Sequence, residues 1–288
     1  MINLESIKIK KPISELLEFS IINIDKPQGP TSFIIDIILK NSLGLKKTSH
    51  FGTLDPMVSG VLPVSLNRAC KLMPYFIGKN KTYVGIMRLH SDISRGNIEK
   101  EIKNFVGEIM QVPPKKSRVK RIERKRKIDY FKIIEIDKNN VLFETEVEAG
   151  TYIRKLIHDL GKKIGGAHML ELRRTKASIF DETDSLNIFD FFKSIDEYKS
   201  GNEERLRSYL IPGEIISKIL PEVQVKKEYI KKLHQGFPLL KEYLLNREHF
   251  LDGSKISVFQ DENFIGVYNI INKEDLFAKP EYVLQPIR

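Results

Sequence analysis

The stretch that decides the fold is His50-Phe-Gly-Thr-Leu-Asp-Pro-Met-Val-Ser-Gly-Val-Leu-Pro-Val64, which carries one carboxylate, Asp55. Its backbone is constrained by two glycines and two prolines, at Gly52, Pro56, Gly60 and Pro63. The apolar residues 61–64 then predict a short buried anchor for the loop. A carboxylate held on a stiff loop suits a nucleophile or a base. An isolated Asp-Pro pair, by contrast, is typical of a simple turn.

The composition indicates a globular protein with a basic surface. The chain has 288 residues, enough for one large and one small domain, and 41% of them are hydrophobic. Because 48 Lys and Arg face 38 Asp and Glu, the formal charge is +10. This balance favours nucleic acid as a partner over an anionic membrane surface. Charge alone is equally compatible with a merely solvated, lysine-rich surface.

The single cysteine, Cys70, excludes an internal disulfide framework and a cysteine-based zinc site, and its context predicts a small buried helix residue. No apolar run is long enough to span a bilayer. The N-terminal residues carry an early acid and no continuous apolar stretch, so they do not predict a secretory signal. We therefore expect a cytoplasmic protein without a membrane partner.

Strands and helices alternate along the chain without a periodic repeat, which predicts an α+β fold. Thr31 and Ser32 are expected to cap a helix whose apolar residues are Phe33, Ile34, Ile37 and Ile38. Other predicted elements are a strand at 21–24, a helix from Asn67 to about Phe76, a strand at 81–89 with Tyr83 on one face, and two strands within 130–147.

Pro212-Gly213 and Pro221 mark a domain boundary. We expect a large domain over 1–212 and a small β-rich domain over 221–288. Within the small domain, 226–235 reads as a helix, and 255–259 and 264–268 read as paired strands. The lead-in, residues 1–20, is expected to pack on this C-terminal module.

A basic run over 115–127 contains nine basic residues and one acid, and Pro113-Pro114 makes its start an extended arm. Such density is typical of phosphate contact, with affinity that falls as salt rises. The residues predicted to bind RNA are Lys115, Lys116, Arg118, Lys120 and Arg121 in this run, and Arg173 and Arg174 in a second, weaker patch.

Four segments together resemble the TruB-type pseudouridine synthases, in that family's order. They are Asp25-Lys-Pro-Gln-Gly-Pro-Thr-Ser32, the Asp55 stretch, Lys81-Thr-Tyr83, and Gly150-Thr-Tyr-Ile-Arg-Lys-Leu156 with Asp159-Leu-Gly161. The resemblance implies a catalytic domain with a central mixed or antiparallel sheet, followed by a small PUA-like RNA-binding domain. At Phe51 the chain departs from the family, whose members more often carry a small residue there.

The resemblance also implies a site for isomerising uridine, a reaction that requires no cofactor and no metal. Asp55 would act at C1′ of the target uridine, Arg154 would pair with that carboxylate, and Tyr83 would stack on the base. Leu156 would pack beneath the nucleotide, and His50 would contact bases around the flipped uridine. Lys26 and Pro27 would brace the loop beneath Asp55.

Each of these residues also has an ordinary structural interpretation. Asp55 could be a turn residue, Arg154 a solvated helix residue and Tyr83 a cross-strand aromatic. His50 could be hydrogen-bonded locally, and Leu156 fits the buried stripe of a helix that starts near Thr151.

Two further segments resemble the dyskerin branch of the family, in its archaeal form: Lys11-Pro-Ile-Ser-Glu-Leu-Leu-Glu-Phe19 and Gly165-Gly-Ala-His-Met-Leu-Glu-Leu-Arg-Arg-Thr175. That branch implies the catalytic subunit of an H/ACA guide ribonucleoprotein, with a guide RNA, a target rRNA and small accessory proteins as partners. The alternatives are guide-independent modification of the tRNA T-loop and a non-catalytic RNA scaffold.

Overall fold

The structure is a computed structural model and describes residues 2–114, 119–246 and 249–286. The helices in these ranges are α1 Leu4–Lys10, α2 Ile13–Glu18, α3 Ser32–Ser42, α4 Met73–Ile77, α5 Arg95–Lys103, α6 Ile153–Gly161, α7 Ile188–Lys199, α8 Glu204–Tyr209 and α9 Ile230–His234. Short 3-10 helices cover Asn67–Leu72, Glu182–Asp184, Gly213–Lys218, Lys227–Tyr229 and Lys241–Tyr243.

The first eleven strands belong to one mixed sheet. They are β1 Ser20–Lys26, β2 Thr48–His50, β3 Val58–Leu66, β4 Lys81–Leu89, β5 Gly107–Gln111, β6 Arg124–Asp137, β7 Asn140–Val147, β8 Ala167–Ala177, β9 Phe180–Asp181, β10 Leu186–Asn187 and β11 Ile211–Pro212. The main order is β10-β1-β3-β8-β4-β7-β6-β5. The β1–β10 and β3–β8 pairs are parallel and the other pairs are antiparallel. The predicted α+β class with a mixed sheet is confirmed.

A second sheet of five strands contains β12 Glu222–Gln224, β13 Leu239–Leu240, β14 Lys255–Gln260, β15 Asn263–Lys273 and β16 Leu276–Val283, in the order β12-β14-β15-β16-β13. It has its own core, which includes Val258, Ile265 and Tyr268. The C-terminal part of the chain is therefore a small β-rich module, as predicted, and β14 and β15 form the predicted hairpin.

Most elements form where the hydrophobic pattern predicts them. On β4, Tyr83, Gly85, Met87 and Leu89 are buried while Val84 and Ile86 are only half-buried, so the strand alternates as predicted. On α6 the buried stripe is Ile153, Leu156, Ile157 and Leu160. Cys70 is buried in the 3-10 helix that precedes α4.

Helix α3 turns the opposite face inward from the one that its apolar pattern suggests. Thr31 does cap it, because its side chain accepts a hydrogen bond from the Ile34 amide. However, Phe33, Ile34 and Ile37 are 66%, 44% and 38% exposed, while Ser32 and Asp36 are buried. Ile35 and Leu39 fill the core, and of the predicted apolar set Ile38 packs against it. The reversal follows from polar contacts that Ser32 and Asp36 make with the Asp55 stretch.

An aromatic cluster joins the two sheets. Phe19 of the large sheet's lead-in stacks on Phe264 of β15, with ring centroids 5.5 Å apart, and Phe259 packs against Phe264 at 5.3 Å. The N-terminal residues add polar contacts, since Ser6 and Lys10 both donate to the Glu262 carboxylate. The lead-in thus contacts the C-terminal module.

Candidate active site

Asp55 lies on an exposed turn between β2 and β3, and Arg154 reaches it from the first turn of α6. The distance from Arg154 Nη1 to Asp55 Oδ2 is 3.3 Å, and the two side chains are 53% and 56% exposed. The structure therefore brings together the two residues that the sequence analysis paired. The contact is a single hydrogen bond, so the guanidinium keeps further donors directed at solvent or at a bound ligand.

Helix α3 holds the turn from one side. The Ser32 hydroxyl donates to the Leu54 carbonyl at 3.1 Å and accepts from the Leu54 amide at 2.9 Å. These atoms are buried, so both main-chain groups next to Asp55 are paired by one side chain. This pairing explains why the polar face of α3 points inward.

His50 is the second contact with α3. Its Nδ1 lies 2.6 Å from Asp36 Oδ2, and its Nε2 lies 3.0 Å from Thr53 Oγ1. Because a carboxylate accepts, Nδ1 carries the proton and donates to Asp36. In a neutral ring, Nε2 then accepts from the Thr53 hydroxyl. The local hydrogen bonding that was one interpretation of His50 is present, and contact with bases stays a prediction.

Lys26 supports the turn from beneath. It is fully buried at the end of β1, and its Nζ donates to the carbonyls of Pro27 and Pro30 at 2.7 and 2.9 Å. The Pro56 carbonyl lies 3.4 Å from the same atom and accepts from the Gly29 amide. The predicted bracing role of Lys26 is confirmed. Burial lowers the pKa of Lys26, as does the charge of Arg174, while the charge of Asp55 acts in the opposite direction.

Two further buried cations lie under the same loop. Arg174 on β8 donates to the carbonyls of Gly52 and Val61, on either side of Asp55. Lys81 at the start of β4 donates to the Ile77 and Lys79 carbonyls. Burial and the charge of Arg174 lower the pKa of Lys81 to about 8. A buried cation without a charged partner costs several kcal/mol. Lys81 and Arg174 therefore lower the stability of the fold, and their charges make the electrostatic potential beneath Asp55 positive.

Phe51, at which the chain departs from the family pattern, packs among other aromatic side chains. It is 2% exposed, stacks on Phe76 at 5.0 Å and packs against Phe180 at 5.9 Å. Its amide donates to the Pro63 carbonyl, across the β2–β3 pair. The large side chain therefore anchors the stretch in the apolar cluster that joins the two sheets, and the backbone of the loop is accommodated around it.

Tyr83 and Leu156 are both buried. Tyr83 is 9% exposed on β4 and lies directly opposite Arg174 on β8. Leu156 is fully buried in the main core, as its position on the α6 stripe requires. Stacking of Tyr83 on a base and packing of Leu156 beneath a nucleotide stay predictions.

The residues of the two predicted basic patches lie in different environments. Lys115, Lys116 and Arg118 lie outside the described residues. Lys120 and Arg121 are exposed in an irregular segment, and the last part of the run, from Arg124, belongs to β6.

The prediction that Arg174 contacts RNA in a surface patch is wrong, whereas RNA contact by Arg173 stays a prediction. Arg174 is 1% exposed and donates to main-chain carbonyls. Arg173 is half-buried; it forms a bidentate pair with Asp25 at 2.8 and 3.0 Å and donates a single hydrogen bond from Nε to Glu182 at 2.8 Å. The adjacent basic residues suggested a surface cluster, but β8 lies between β3 and β4, so successive side chains point to opposite faces of the sheet and only Arg174 is buried.

Sequence reasoning missed Ser32, Asp36, Lys81 and Arg174 as supports of the loop. One signal was available: Ser32 and Asp36 are four residues apart in an otherwise apolar helix, and such a pair lies on one helix face. Among the described residues, no group of three or more His, Cys, Asp or Glu side chains is placed to hold a metal ion. The described helices are all too short or too polar to cross a membrane.

Two protein-family models match adjacent parts of the chain. The TruB family pseudouridylate synthase N-terminal domain matches residues 40–153, which include Asp55 and Tyr83. The tRNA pseudouridylate synthase B C-terminal domain matches residues 154–217 and begins at Arg154. The class of protein is thus a pseudouridine synthase.

Curated relatives agree with this class. The probable tRNA pseudouridine synthase B of Pyrococcus abyssi is 43% identical over 232 residues, which are 79% of this chain and 69% of the relative. Those of Nanoarchaeum equitans and Methanopyrus kandleri are 42% and 39% identical, over 78% and 87% of this chain and 65% and 75% of their own lengths. The chain belongs to the TruB family of pseudouridine synthases.

Two solved structures share the fold over nearly the whole chain. The chain superposes on a Cbf5–Nop10–Gar1 complex with a TM-score of 0.89 at 36% identity, covering 97% of this chain and 89% of that one. An H/ACA ribonucleoprotein bound to a substrate RNA containing 2′-deoxyuridine gives 0.88 at 34% identity, with 97% and 89% coverage.

Proposed function

We propose that this chain converts uridine to pseudouridine in RNA, with Asp55 as the catalytic carboxylate. The reaction breaks the C1′–N1 bond, turns the base, and forms a C1′–C5 bond. N1 gains a proton and C5 loses one, so atoms and electrons balance without a cofactor. The proposal rests mainly on the Asp55–Arg154 contact, which places a charged pair on an exposed and well-supported turn.

The contacts around the turn suit a group that must stay in one position during the reaction. Main-chain groups on both sides of Asp55 are held by Ser32, Arg174 and Lys26, while the carboxylate itself is exposed. Support beneath an exposed reactive group is what preorganisation requires. Asp55 would attack or stabilise C1′, and Arg154 would orient the carboxylate.

Tyr83 would stack on the turned base. Its ring lies beside the same buried guanidinium that holds Gly52, three residues before Asp55. A stacked aromatic ring stabilises an unpaired base by about 1–3 kcal/mol, enough to offset part of the cost of extruding the nucleotide. Tyr83 is buried in this structure, so a small rearrangement of the cleft would accompany RNA binding.

We further propose that the chain acts in an H/ACA guide ribonucleoprotein, with guide RNA, target rRNA and small accessory proteins. The similarity over 97% of the chain to subunits of such complexes supports this. The names of the sequence relatives support the second candidate, modification of the tRNA T-loop without a guide. A cytoplasmic location fits both candidates.

The small C-terminal sheet would bind RNA as a PUA-like domain over 221–288, following the catalytic domain over 1–212. In this domain the half-buried Tyr229 stacks on the buried Tyr243, with ring centroids 3.9 Å apart. The Lys232 ammonium lies 5.8 and 5.9 Å from the two centroids. A cation beside stacked rings suits nucleic acid, since it combines charge with a flat apolar surface.

The experiment that tests the function is pseudouridine mapping after incubation with a tRNA transcript, first alone and then with guide RNA and accessory proteins. Product at the T-loop uridine from the chain alone would support guide-independent modification. Product that appears only at a guide-paired uridine, and only with guide RNA and accessory proteins, would support the ribonucleoprotein. Absence of product under both conditions would contradict the enzymatic proposal and leave the RNA scaffold.

A further inference from the structure

Arg174 is the largest fully buried side chain among the described residues. It lies in the middle of β8, where its residue partner across the β4 ladder is Tyr83. Strand β8 lies between β4, which carries Tyr83, and β3, which follows Asp55. Arg174 is therefore next to both strands. Burial alone does not assign a function to Arg174, so its role is inferred from its contacts.

The guanidinium holds the Asp55 stretch at two points. Nε donates to the Val61 carbonyl at 2.8 Å, and Nη2 donates to the Gly52 carbonyl at 3.0 Å. These two carbonyls bracket the segment 53–60, which contains Asp55. The backbones approach closely here as well, since a Cβ on Gly60 would lie 2.1 Å from the Arg174 carbonyl oxygen. The loop therefore cannot shift relative to β8 without breaking these contacts.

The same guanidinium faces the Tyr83 hydroxyl. Burial lowers the pKa of Arg174, and the neighbouring Tyr83 side chain opposes that effect. Within the described part of the chain, the groups that contact Arg174 are carbonyls and this hydroxyl, and no carboxylate pairs with it. A lysine could supply the charge, but its single ammonium lacks the planar fork that reaches several acceptors in fixed directions.

We propose that Arg174 is a positioning residue that joins the Asp55 loop to the Tyr83 hydroxyl, so that both groups are presented to one nucleotide. This rests on the proposed function and deepens it, because it names a residue that acts through two others and does not itself reach RNA. The planar guanidinium of Arg174 holds the Asp55 loop and Tyr83 in a fixed position relative to each other. Its loss should therefore slow the chemical step more than it weakens RNA binding.

The first test compares Arg174→Lys with the parent in single-turnover pseudouridine formation, with the RNA Kd measured separately. We expect the rate constant to fall about 10- to 100-fold, since a displacement near 1 Å at a reacting group has costs of this size. The Kd should change by less than about twofold, because the side chain is buried. Lys176→Arg, an exposed change on the same strand, is the matched control and should leave both values unchanged. If Arg174→Lys does not fold, Arg174→Gln is the second variant.

A double-mutant cycle with Tyr83→Phe tests the link to the hydroxyl. Without that hydroxyl, Arg174→Lys should slow the reaction clearly less than it does in the parent, since residues that act as a unit are not additive. Full additivity would overturn the proposed link. An unchanged rate in Arg174→Lys, or a rate loss matched by an equal loss of RNA affinity, would overturn the positioning role.

One readout does not depend on turnover. In protein labelled with 3-fluorotyrosine, the fluorine resonance that disappears in Tyr83→Phe should shift in Arg174→Lys and stay fixed in Lys176→Arg. A fixed resonance in Arg174→Lys would contradict the contact. An inactive parent would defeat the proposed function, whereas this spectrum would still decide whether Arg174 holds Tyr83.

Discussion

For some of the charged side chains around Asp55 the contacts could be predicted from sequence, and for others they could not. The bracing role of Lys26 was predictable from its motif, because a lysine between a strand and a Pro-rich turn has carbonyls within reach. Arg174 was misassigned to the surface, because its burial depends on strands far away in sequence. The Asp55–Arg154 pair was predictable only from the family resemblance, since 99 residues separate the two side chains.

The lowered pKa of Lys81 leads to a prediction about stability. Its folded-state pKa of about 8 lies below the usual 10.5, so between these values the unfolded state binds more protons than the folded state. The free energy of unfolding should therefore rise with pH from about 8 to 10, by up to about 3 kcal/mol. In Lys81→Met the rise should be clearly smaller, because the buried Lys26, whose pKa is also lowered, still contributes to it.

Urea unfolding at pH 8, 9 and 10 measures the effect. Lys79→Met is the matched control, because that side chain is exposed two residues earlier and should keep the pH dependence of the parent. Equal slopes in the parent and in Lys81→Met would show that Lys81 is not held as a buried cation.

At the scale of elements, α3 links the loop to the rest of the fold and shows where periodicity misleads. Its length and its Thr31 cap were predictable from local sequence. Its orientation was not, because the apolar positions alone cannot show that Ser32 and Asp36 have polar partners on a distant loop. Strands β4 and β7 were predicted well, since their alternation is set by a core that both share, whereas β6 begins at Arg124, before the predicted start at residue 130.

Ser32→Ala should destabilise the protein by about 1–3 kcal/mol, because the buried amide and carbonyl of Leu54 both lose their partner. Equilibrium unfolding in urea checks this value. Ser42→Ala, in the last turn of the same helix, is the control and should stay within about 0.5 kcal/mol of the parent. A loss that is no larger for Ser32→Ala than for Ser42→Ala would show that the serine does not hold the loop.

The exposed apolar side chains of α3 predict a protein partner, since contiguous exposed apolar surface is typical of interaction sites. Replacing Phe33 and Ile37 by serine should weaken assembly with the accessory proteins of the proposed ribonucleoprotein at least about tenfold, by the loss of about 1.4 kcal/mol or more. Both side chains are exposed, so stability should change little. Analytical pull-down with purified accessory proteins measures assembly.

Ile134→Ser and Leu170→Ser together serve as the control, because these side chains are similarly exposed on β6 and β8. If they weaken assembly as much as the α3 changes do, the prediction that α3 is the docking face is wrong.

At the scale of the whole molecule, the two sheets share an aromatic interface. The division into a large mixed sheet and a small β-rich module was predictable from turn residues and patterning. The contact between them was not, because Phe19, Phe259 and Phe264 are far apart in sequence and each is compatible with a separate core. Composition gives the net charge of the chain, but it does not show that Lys26, Lys81 and Arg174 are buried.

Lys120 and Arg121 should account for part of the salt dependence of RNA binding. Replacing both by alanine should weaken binding and reduce the slope of log K against log salt by about 1–2, since each lost phosphate contact removes somewhat less than one released counterion. Filter binding from 50 to 300 mM salt gives the slope. Lys100→Ala with Lys103→Ala, which removes the same charge from the exposed side of α5, should leave the slope close to that of the parent. Equal slopes for both double variants would mean that the basic run contributes only net charge.

The central claim is that the Asp55 carboxylate performs the chemistry, and Asp55→Asn tests it most directly. The measurement is single-turnover pseudouridine formation under whichever condition gives product with the parent, together with the RNA Kd. We expect no detectable product from Asp55→Asn and a Kd within about twofold of the parent, because the exposed turn keeps its supports. Asp92→Asn, another exposed change of the same kind, should retain full activity. Product from Asp55→Asn at the rate of the parent would contradict the account.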